Sequence, residues 1–194
     1  MMPEYIKNIK KTLLSDNWAT LHKVTFDYRD SKGNWEPQVR EVYDRGNGAA
    51  VLLYNKASKT VILTEQFRMP TYFNGNDSGM LIEVCAGLLD DYDPETAIKK
   101  EIEEETGYHL SDVEKVMDLY MSPGSVTETV HLFIAGYTVK DKLSEGGGVA
   151  TENEDILVHE YAFAKAYTMI QTGEIKDAKT VILLQYLQLQ GILS

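Results

Sequence analysis

The sequence predicts an α+β fold in which a sheet is covered by helices and preceded by a small antiparallel β unit. Two runs near the N-terminus alternate in polarity, as paired strands do, and several later runs rich in Val, Ile and Leu are typical of buried strands. Three further stretches have helical character. Because strands outnumber helices, a helix-covered sheet is favoured over a helical bundle or an all-β sandwich.

Residues 1–45 are expected to form the antiparallel unit. The runs ATLHKVTFDYRD and WEPQVREVYDR are predicted to be its strands, and SKGN between them has the composition of a turn. The residues before these runs are expected to be an irregular or helical lead. Residues 46–194 are expected to form the main domain.

The main domain is predicted to begin with a buried hairpin, AAVLLYN and TVILTEQF, joined by NKASK. A loop at NGNDSG then leads into a short strand, MLIEVCAG. Further strands are expected at KVMDLYM, TVHLFIAGYTV and ILVHEYA, and two helices at FAKAYTMIQTG and AKTVILLQYLQL. The chain has the length for one medium domain with a small extension, at 194 residues.

A helix of about three and a half turns is predicted between the short strand and KVMDLYM. Asp93 is suited to the N-cap and Pro94 to the first helical position. Gly107 is the expected C-cap.

Composition excludes several classes of function. A formal net charge of -11 argues against binding a nucleic-acid backbone, although a small anionic substrate is compatible with it if metal ions or a few arginines neutralise the phosphates. No apolar run approaches the roughly 20 residues that span a bilayer, and the N-terminus does not resemble a signal peptide. The single cysteine, Cys85, fits a reducing cytoplasm, and the scattered histidines have no zinc-ligand spacing.

The predicted helix ends in KKEIEEETGY, where like charges accumulate against the helix dipole. A lysine lies four residues before Glu103 and another before Glu104, so each glutamate can be partly neutralised. Glu101 and Glu105 form an i, i+4 carboxylate pair to which this spacing supplies no cation. The segment is therefore either a solvated acidic face or a site for a hard cation such as Mg²⁺.

The segment GLLDDYDPETAIKKEIEEETGY resembles the Nudix box, G-x5-E-x7-R-E-U-x-E-E-x-G-U, in which U is a bulky apolar residue. The matching residues are Glu101, Ile102, Glu104, Glu105, Gly107 and Tyr108. Lys100 stands at the position of the arginine, Asp93 stands at that of the first glutamate, and the segment between Gly87 and Glu101 is one residue short. Lysine offers only a point charge and so holds the metal-binding loop less rigidly than arginine does.

Motifs outside the box resemble one branch of the family. In LYMSPGSVTE, Pro123 follows Gly107 by sixteen residues, a spacing similar to that of the Nudix enzymes acting on ADP-ribose and other nucleotide sugars. LLSDNWATLH, REVYDRGNGA, EQFR, CAGLLD and GEIKDAKTVILL extend the resemblance over nearly the whole chain, to family members acting on GDP-mannose.

The resemblance implies an α/β/α sandwich with a mixed sheet and Mg²⁺-dependent hydrolysis of a nucleotide sugar, with Mn²⁺ as a substitute ion. The expected reaction converts GDP-mannose and water to GMP and mannose 1-phosphate. It also implies a homodimer that exchanges the N-terminal unit. Three alternatives stay open: an ADP-ribose or ADP-sugar pyrophosphatase, a non-catalytic nucleotide-sugar sensor and an acidic protein-interaction domain.

The resemblance also implies the site residues. Metal ligands are expected at Ala86, through its carbonyl, and at Glu101, Glu104, Glu105 and Glu154, with Glu104 alternatively the partner of a retained cation and Glu152 a weaker choice than Glu154. Glu154 is the first candidate base and Glu128 the second, and Glu105 is also assigned to catalysis. Substrate contacts are expected at Trp18, Val39, Arg40, Glu41, Arg68, Ala86, Gly87, Leu88, Glu105, Glu128, Asn153, Glu154 and Lys179.

Overall fold

The chain folds into two units, seen in a computed structural model that describes residues 5–149, 151 and 154–193. The first unit comprises Met1–Asn47 with Tyr120–Thr129, and the second comprises Gly48–Leu119 with Val130–Ser194. The mixture of an antiparallel N-terminal sheet, a larger mixed sheet and helices confirms the predicted α+β class.

The first unit is built on a three-stranded antiparallel sheet, β1 (Ile6–Asp16), β2 (Thr20–Arg29) and β3 (Trp35–Asp44), in that order. Strands β2 and β3 pair without a register shift from Thr20 opposite Asp44 to Arg29 opposite Trp35. The turn between them is closed by the Asp30 side chain, which accepts the Lys32 and Asn34 amides at 2.8 Å each. The two alternating runs are therefore strands, as predicted.

The expectation of an irregular or helical lead is wrong, because those residues form β1. A strand was missed because its side-chain alternation is interrupted. Register shifts occur between Lys7 and Lys10 and between Leu13 and Ser15, and Asn8 has a φ of 56°. Such bulges place two residues opposite one, so the period of two is lost and the apolar residues fall at helix-like intervals.

The segment 120–129 of the first unit is fastened to the end of β3. The Tyr43 amide donates to the Ser125 carbonyl at 2.8 Å, and the Thr127 amide donates to the Tyr43 carbonyl at 3.1 Å. The Asn47 side chain accepts the Thr129 amide at 2.9 Å. These bonds fix the segment that carries Glu128.

The second unit contains the larger sheet. Its strands are β4 (Gly48–Asn55), β5 (Thr60–Phe67), β6 (Met80–Glu83), β7 (Cys85–Leu88), β8 (Glu114–Tyr120), β9 (Thr129–Gly136) and β10 (Leu157–Ala162). The order is β10-β5-β4-β9-β8, with β6 paired to β5 and β7 to β4. Strand β4 runs parallel to β9 and antiparallel to β5 and β7, which makes the sheet mixed.

Helices accompany this sheet. They are α1 (Met69–Phe73), α2 (Pro94–Glu101), a π-helical turn (Ile102–Thr106), a 3₁₀ turn (Val139–Asp141), α3 (Phe163–Thr172) and α4 (Ala178–Leu189). Helices α2, α3 and α4 were predicted, and α1 is an addition. Among the described residues, no helix has the length and apolar character needed to cross a membrane.

The core of the second unit lies between the sheet and its helices. The buried apolar side chains include Val51, Leu53, Ile98, Ile102, Phe133, Leu183 and Leu187. Helix α2 buries Ile98 and the π turn buries Ile102. Because these two side chains pack in the core, they fix where the neighbouring glutamates lie in space. The acidic helix is therefore a rigid element of the fold.

Candidate active site

The acidic helix begins at Asp93, whose side chain accepts the Glu95 and Thr96 amides at 3.1 Å each and the Thr96 hydroxyl at 2.6 Å. Asp93 is therefore the N-cap, with Pro94 following it, as predicted. The residue that stands in place of the first glutamate of the box is thus used to start the helix.

The helix ends differently from the prediction of a regular α-helix. After Glu101 the backbone continues as a five-residue π turn, which closes at Gly107 with a φ of 75°. The Gly147 amide donates to the Glu105 carbonyl at 2.9 Å, and the Gly148 amide donates to the Glu104 carbonyl at 3.0 Å. The last carbonyls of the turn, which have no partner within the helix, are thus bound by amides of a loop.

Gly146 shows why that loop is rich in glycine. Its φ is +70°, and a Cβ at this position would overlap the backbone carbonyl of Glu105. The loop can therefore approach the helix end only with no side chain at this point.

Three glutamates of this segment have basic partners. Lys100 lies 2.8 Å from Glu104, as the spacing predicted. That Glu104 is also a metal ligand stays a prediction. The expected pairing of Lys99 with Glu103 is wrong. Lys99 instead pairs with Glu95 at 2.6 Å, because a glutamate placed four residues before a lysine is the more favourable order. Glu103 lies 2.9 Å from the His109 ring.

Glu105 is buried, with 2% of its surface exposed, and its Oε2 accepts the Ala86 amide at 3.3 Å. Burial raises the pKa of Glu105 to about 8, and the neighbouring Glu101 and Glu154 carboxylates act in the same direction. Hydrogen bonding to the Cys85 thiol and the Ala86 amide opposes this rise. The side chain is therefore costly to ionise unless a cation is near it.

Glu101 lies against the backbone of β7. A Cβ on Gly87 would overlap the carboxylate carbon and Oε1 of Glu101. The Glu101 carboxylate therefore packs directly against Gly87, where no side chain intervenes. Gly87 follows Ala86, whose carbonyl is expected to bind the metal.

Glu154 is brought to the same region by the segment between the 3₁₀ turn and β10, whose Gly147 and Gly148 amides bind the end of the π turn. Its Oε2 accepts the Val149 amide at 2.9 Å, and a Cβ on Gly148 would lie 2.6 Å from the same oxygen. Its carboxylate raises the pKa of Glu105, so the two charges are close enough to interact. Glu152 and Asn153, which were also expected here, lie outside the described residues.

The donor set fits a hard divalent cation. The carboxylates of Glu101, Glu105 and Glu154 and the Ala86 carbonyl are oxygen ligands, which Mg²⁺ and Mn²⁺ prefer. Within the described ranges, no three His, Cys, Asp or Glu side chains lie close enough together to form a ready-made metal cluster. A cation bound by these oxygens would relieve the charge repulsion felt by Glu105.

Two predicted substrate-binding cations, Arg68 and Lys179, meet at a residue that was not predicted. Glu83 is 3% exposed; its Oε2 accepts from Arg68 Nε at 2.6 Å and its Oε1 from Lys179 Nζ at 3.3 Å. Lys179 also donates to Asp177 at 2.7 Å. An acidic residue within the otherwise apolar run MLIEVCAG is the signal that could have found Glu83.

Helix α4 is joined to the strand that carries the metal site. Asp177 caps the helix by accepting the Thr180 amide at 2.9 Å and the Thr180 hydroxyl at 2.7 Å. The same hydroxyl oxygen accepts the Val84 amide at 2.8 Å. Val84 immediately precedes β7, which contains Ala86 and Gly87, two of the expected site residues.

The first unit carries the remaining predicted residues. Glu128, the second candidate base, is buried and lies 2.6 Å from Arg45, a partner that was not predicted. Trp18 is 70% exposed and Val39 is also exposed. Arg40 donates to the Val39 carbonyl at 2.7 Å. Glu41 lies on the same strand, β3, as Val39 and Arg40.

Comparison with protein families identifies the class of this chain. Residues 44–181 match the family described as the NUDIX domain. The match covers more than half of the chain, which therefore belongs to the Nudix family of hydrolases, as its sequence predicted. Residues 5–43 match a second family, described as the GDP-mannose pyrophosphatase NudK N-terminal domain.

Individual relatives narrow the similarity further. A GDP-mannose pyrophosphatase of Pectobacterium atrosepticum is 55% identical over 190 residues, covering 98% of this chain and 97% of that protein. GDP-mannose pyrophosphatases of Shigella dysenteriae serotype 1 and Yersinia enterocolitica are each 54% identical. They cover 99% and 97% of this chain, and the matches span 100% and 97% of those proteins.

Proposed function

We propose that this chain hydrolyses the diphosphate of a nucleotide sugar, converting GDP-mannose and water to GMP and mannose 1-phosphate. The observation that carries the proposal is the buried carboxylate of Glu105, grouped with Glu101 and Glu154 at the end of the box helix. A protein that only binds nucleotide sugars has no need to assemble buried like charges. Similarity to GDP-mannose pyrophosphatases over both units favours this substrate.

Mg²⁺, with Mn²⁺ as a substitute, would be held by Glu101, Glu105, Glu154 and the Ala86 carbonyl. When bound, it would neutralise charge on the phosphates and lower the pKa of a coordinated water. Arg68 and Lys179 are proposed to bind the phosphates from the other side. Positive charge placed where phosphate charge develops is the main contribution that a protein makes to this class of reaction.

Glu154 is the better candidate for the general base. Its Oε2 accepts the Val149 amide, and its second oxygen remains able to take a proton from water. Glu128 is bound to the Arg45 guanidinium at 2.6 Å, so this carboxylate is already engaged by a cation. We therefore assign Glu128 to substrate binding.

A panel of nucleotide sugars tests the reaction. GDP-mannose, ADP-ribose and ADP-glucose are incubated with the protein and Mg²⁺, and both products of each are identified by mass spectrometry. GDP-mannose is expected to have the highest kcat/KM, by about tenfold or more. A higher value for ADP-ribose would overturn the choice of substrate, and no turnover of any diphosphate would favour a sensor.

Two variants on one helix link the activity to the site. Glu101→Gln is expected to lower turnover by orders of magnitude, since it weakens a ligand of the metal. Glu103→Gln is the matched control, because Glu103 is exposed and pairs with His109. Equal activity of both variants would contradict the metal assignment.

We further propose that the protein is a homodimer in which residues 1–45 complete the site of a second copy. The first unit supports this through exposed apolar side chains at Ile9, Leu13, Trp18 and Val39. Mixing Arg40→Ala protein with Glu101→Gln protein should restore activity if sites are shared, because mixed dimers contain one intact site. A monomer by light scattering would refute the proposal.

A cytoplasmic location belongs to the same proposal. Its support is that Cys85, the only cysteine, is buried and unbridged.

A further inference from the structure

The cluster around Glu83 joins three elements of the second unit. Glu83 ends β6, Arg68 directly follows β5, and Lys179 lies in the first turn of α4. An ionised carboxylate removed from water is stable only if it is paired, and Glu83 has a cation on each oxygen. Removing the carboxylate would therefore leave two cations without their shared partner.

Lys179 is held in its charged form. Burial acts to lower the pKa of Lys179, but Asp177 and Glu83 together raise it above its ordinary value. The ammonium is thus fixed between two carboxylates at 2.7 Å and 3.3 Å. A lysine held in this way has little side-chain freedom left to lose when a ligand binds.

Arg68 is held at one end only. The side chain of Arg68 is 38% exposed and that of Glu83 is 4% exposed, and the bond between them uses Nε. Within the described part of the chain, the Nη nitrogens of Arg68 donate no hydrogen bond. Guanidinium groups bind phosphate oxygens through paired N–H donors, and the Nη groups supply these.

The cluster also lies close in the chain to the metal site. Glu83 and Val84 directly precede β7, and the Val84 amide is bound by Thr180 of α4. The backbone that carries Ala86 and Gly87 is thus tied to the helix that carries Lys179. A displacement of the cluster would therefore be transmitted to the strand that supplies the metal-binding carbonyl.

We propose that Glu83 is a positioning residue that holds Arg68 and Lys179 ready to receive the two phosphates of the substrate. The role rests on the proposed function, since it requires these cations to bind a diphosphate. Glu83 itself touches neither substrate nor metal in this role. Its contribution is to preorganise two flexible cations, which lowers the entropy lost on binding.

The test is a double-mutant cycle between Glu83→Gln and Arg68→Ala, with kcat and KM measured for GDP-mannose in saturating Mg²⁺. Glu83→Gln alone is expected to raise KM by about tenfold or more, with a smaller change in kcat, because the phosphate contact exists in the bound substrate as well as in the transition state. In the Arg68→Ala background the effect of Glu83→Gln on KM should shrink at least threefold, since one of the two cations through which Glu83 acts is gone. Additive effects would overturn the proposal.

Two controls separate positioning from general stability. Glu160→Gln removes a carboxylate that accepts hydrogen bonds from Thr60 and Tyr137 at 2.7 Å each, and it should leave KM unchanged. If Glu83→Gln does not fold, Glu83→Asp replaces it, because the shorter side chain keeps the charge but cannot reach both cations. An unchanged KM for folded Glu83→Asp would overturn the positioning role.

Activity of the wild-type protein shows whether the positioning role of Glu83 or the proposed function itself has failed. If it turns over no nucleotide sugar, the proposed function falls and the role of Glu83 with it. If it turns over GDP-mannose and the folded Glu83 variants keep its KM, only the role of Glu83 falls.

Discussion

Glu105→Gln should stabilise the metal-free protein at alkaline pH, because it removes a charge that the fold buries. The pKa of Glu105 is about 8 in the folded chain, against 4.5 for an ordinary glutamate. That difference corresponds to an energetic penalty of about 5 kcal/mol when both states are ionised. The neutral amide of glutamine carries no such penalty and can still accept the Ala86 amide.

The sign of the pH dependence follows from the raised pKa. Below pH 4.5 the carboxyl is protonated in both states, and the wild type and variant should be similar in stability. Between pH 4.5 and about 8 the unfolded chain releases the proton and the folded chain keeps it, so the stability of the wild type falls as pH rises. Above about pH 8 the difference should be constant.

Urea denaturation in EDTA at a series of pH values from 5 to 9 measures this difference. The free energy of unfolding of Glu105→Gln should exceed that of the wild type by an amount that grows with pH to several kcal/mol, on the order of the penalty above. Glu103→Gln, an exposed glutamate of the same π turn, should show no such growth. A difference that is independent of pH would refute the argument from burial.

Three further predictions concern the same unit. Gly87→Ala should lower turnover by about a hundredfold, because its Cβ would displace the Glu101 carboxylate, whereas Gly136→Ala, where a Cβ has only ordinary contacts, should be nearly silent in the same kinetic assay. Thr180→Val should lower the free energy of unfolding, measured by urea denaturation, by about 1–3 kcal/mol, because the Val84 amide loses its acceptor. Thr180→Ser keeps the hydroxyl and should retain most of the wild-type stability. Mg²⁺ should raise the melting temperature of the wild type at pH 8 by scanning calorimetry, and an equal rise in the glutamine variant of the first prediction would contradict ligation.

Most of the elements of the second unit were predictable because their signals are local. The strands around Val51 and Leu63 are continuous β-branched and aliphatic runs, and α2 has an Asp-Pro start and a glycine end. Strand β1 was not predictable in the same way, since its bulge at Asn8 hides the alternation. Local patterns fail where a pairing partner elsewhere in the chain imposes an irregular backbone.

In the candidate site, too, residues set by local sequence were predictable and residues set by distant partners were not. The glutamates of the box helix could be named from spacing and resemblance, because ligand positions on a helix depend on sequence separation. The sequence marks Glu83 only as an acidic residue in an apolar run, and the roles of Glu83 and Arg45 depend on partners 96 and 83 residues away in the chain. The π turn also escaped prediction, since the spacing of the glutamates indicates only a regular helix up to Gly107.

The two amides that bind the end of the π turn also make an internal reporter. The Gly147 and Gly148 amide hydrogens are held only while the loop that carries Glu154 lies on the helix end. Their rates of exchange with deuterated solvent therefore measure how often that loop lifts away. The two amide signals would thus show whether the loop holds the Glu154 carboxylate beside the helix end. The measurement requires neither substrate nor turnover.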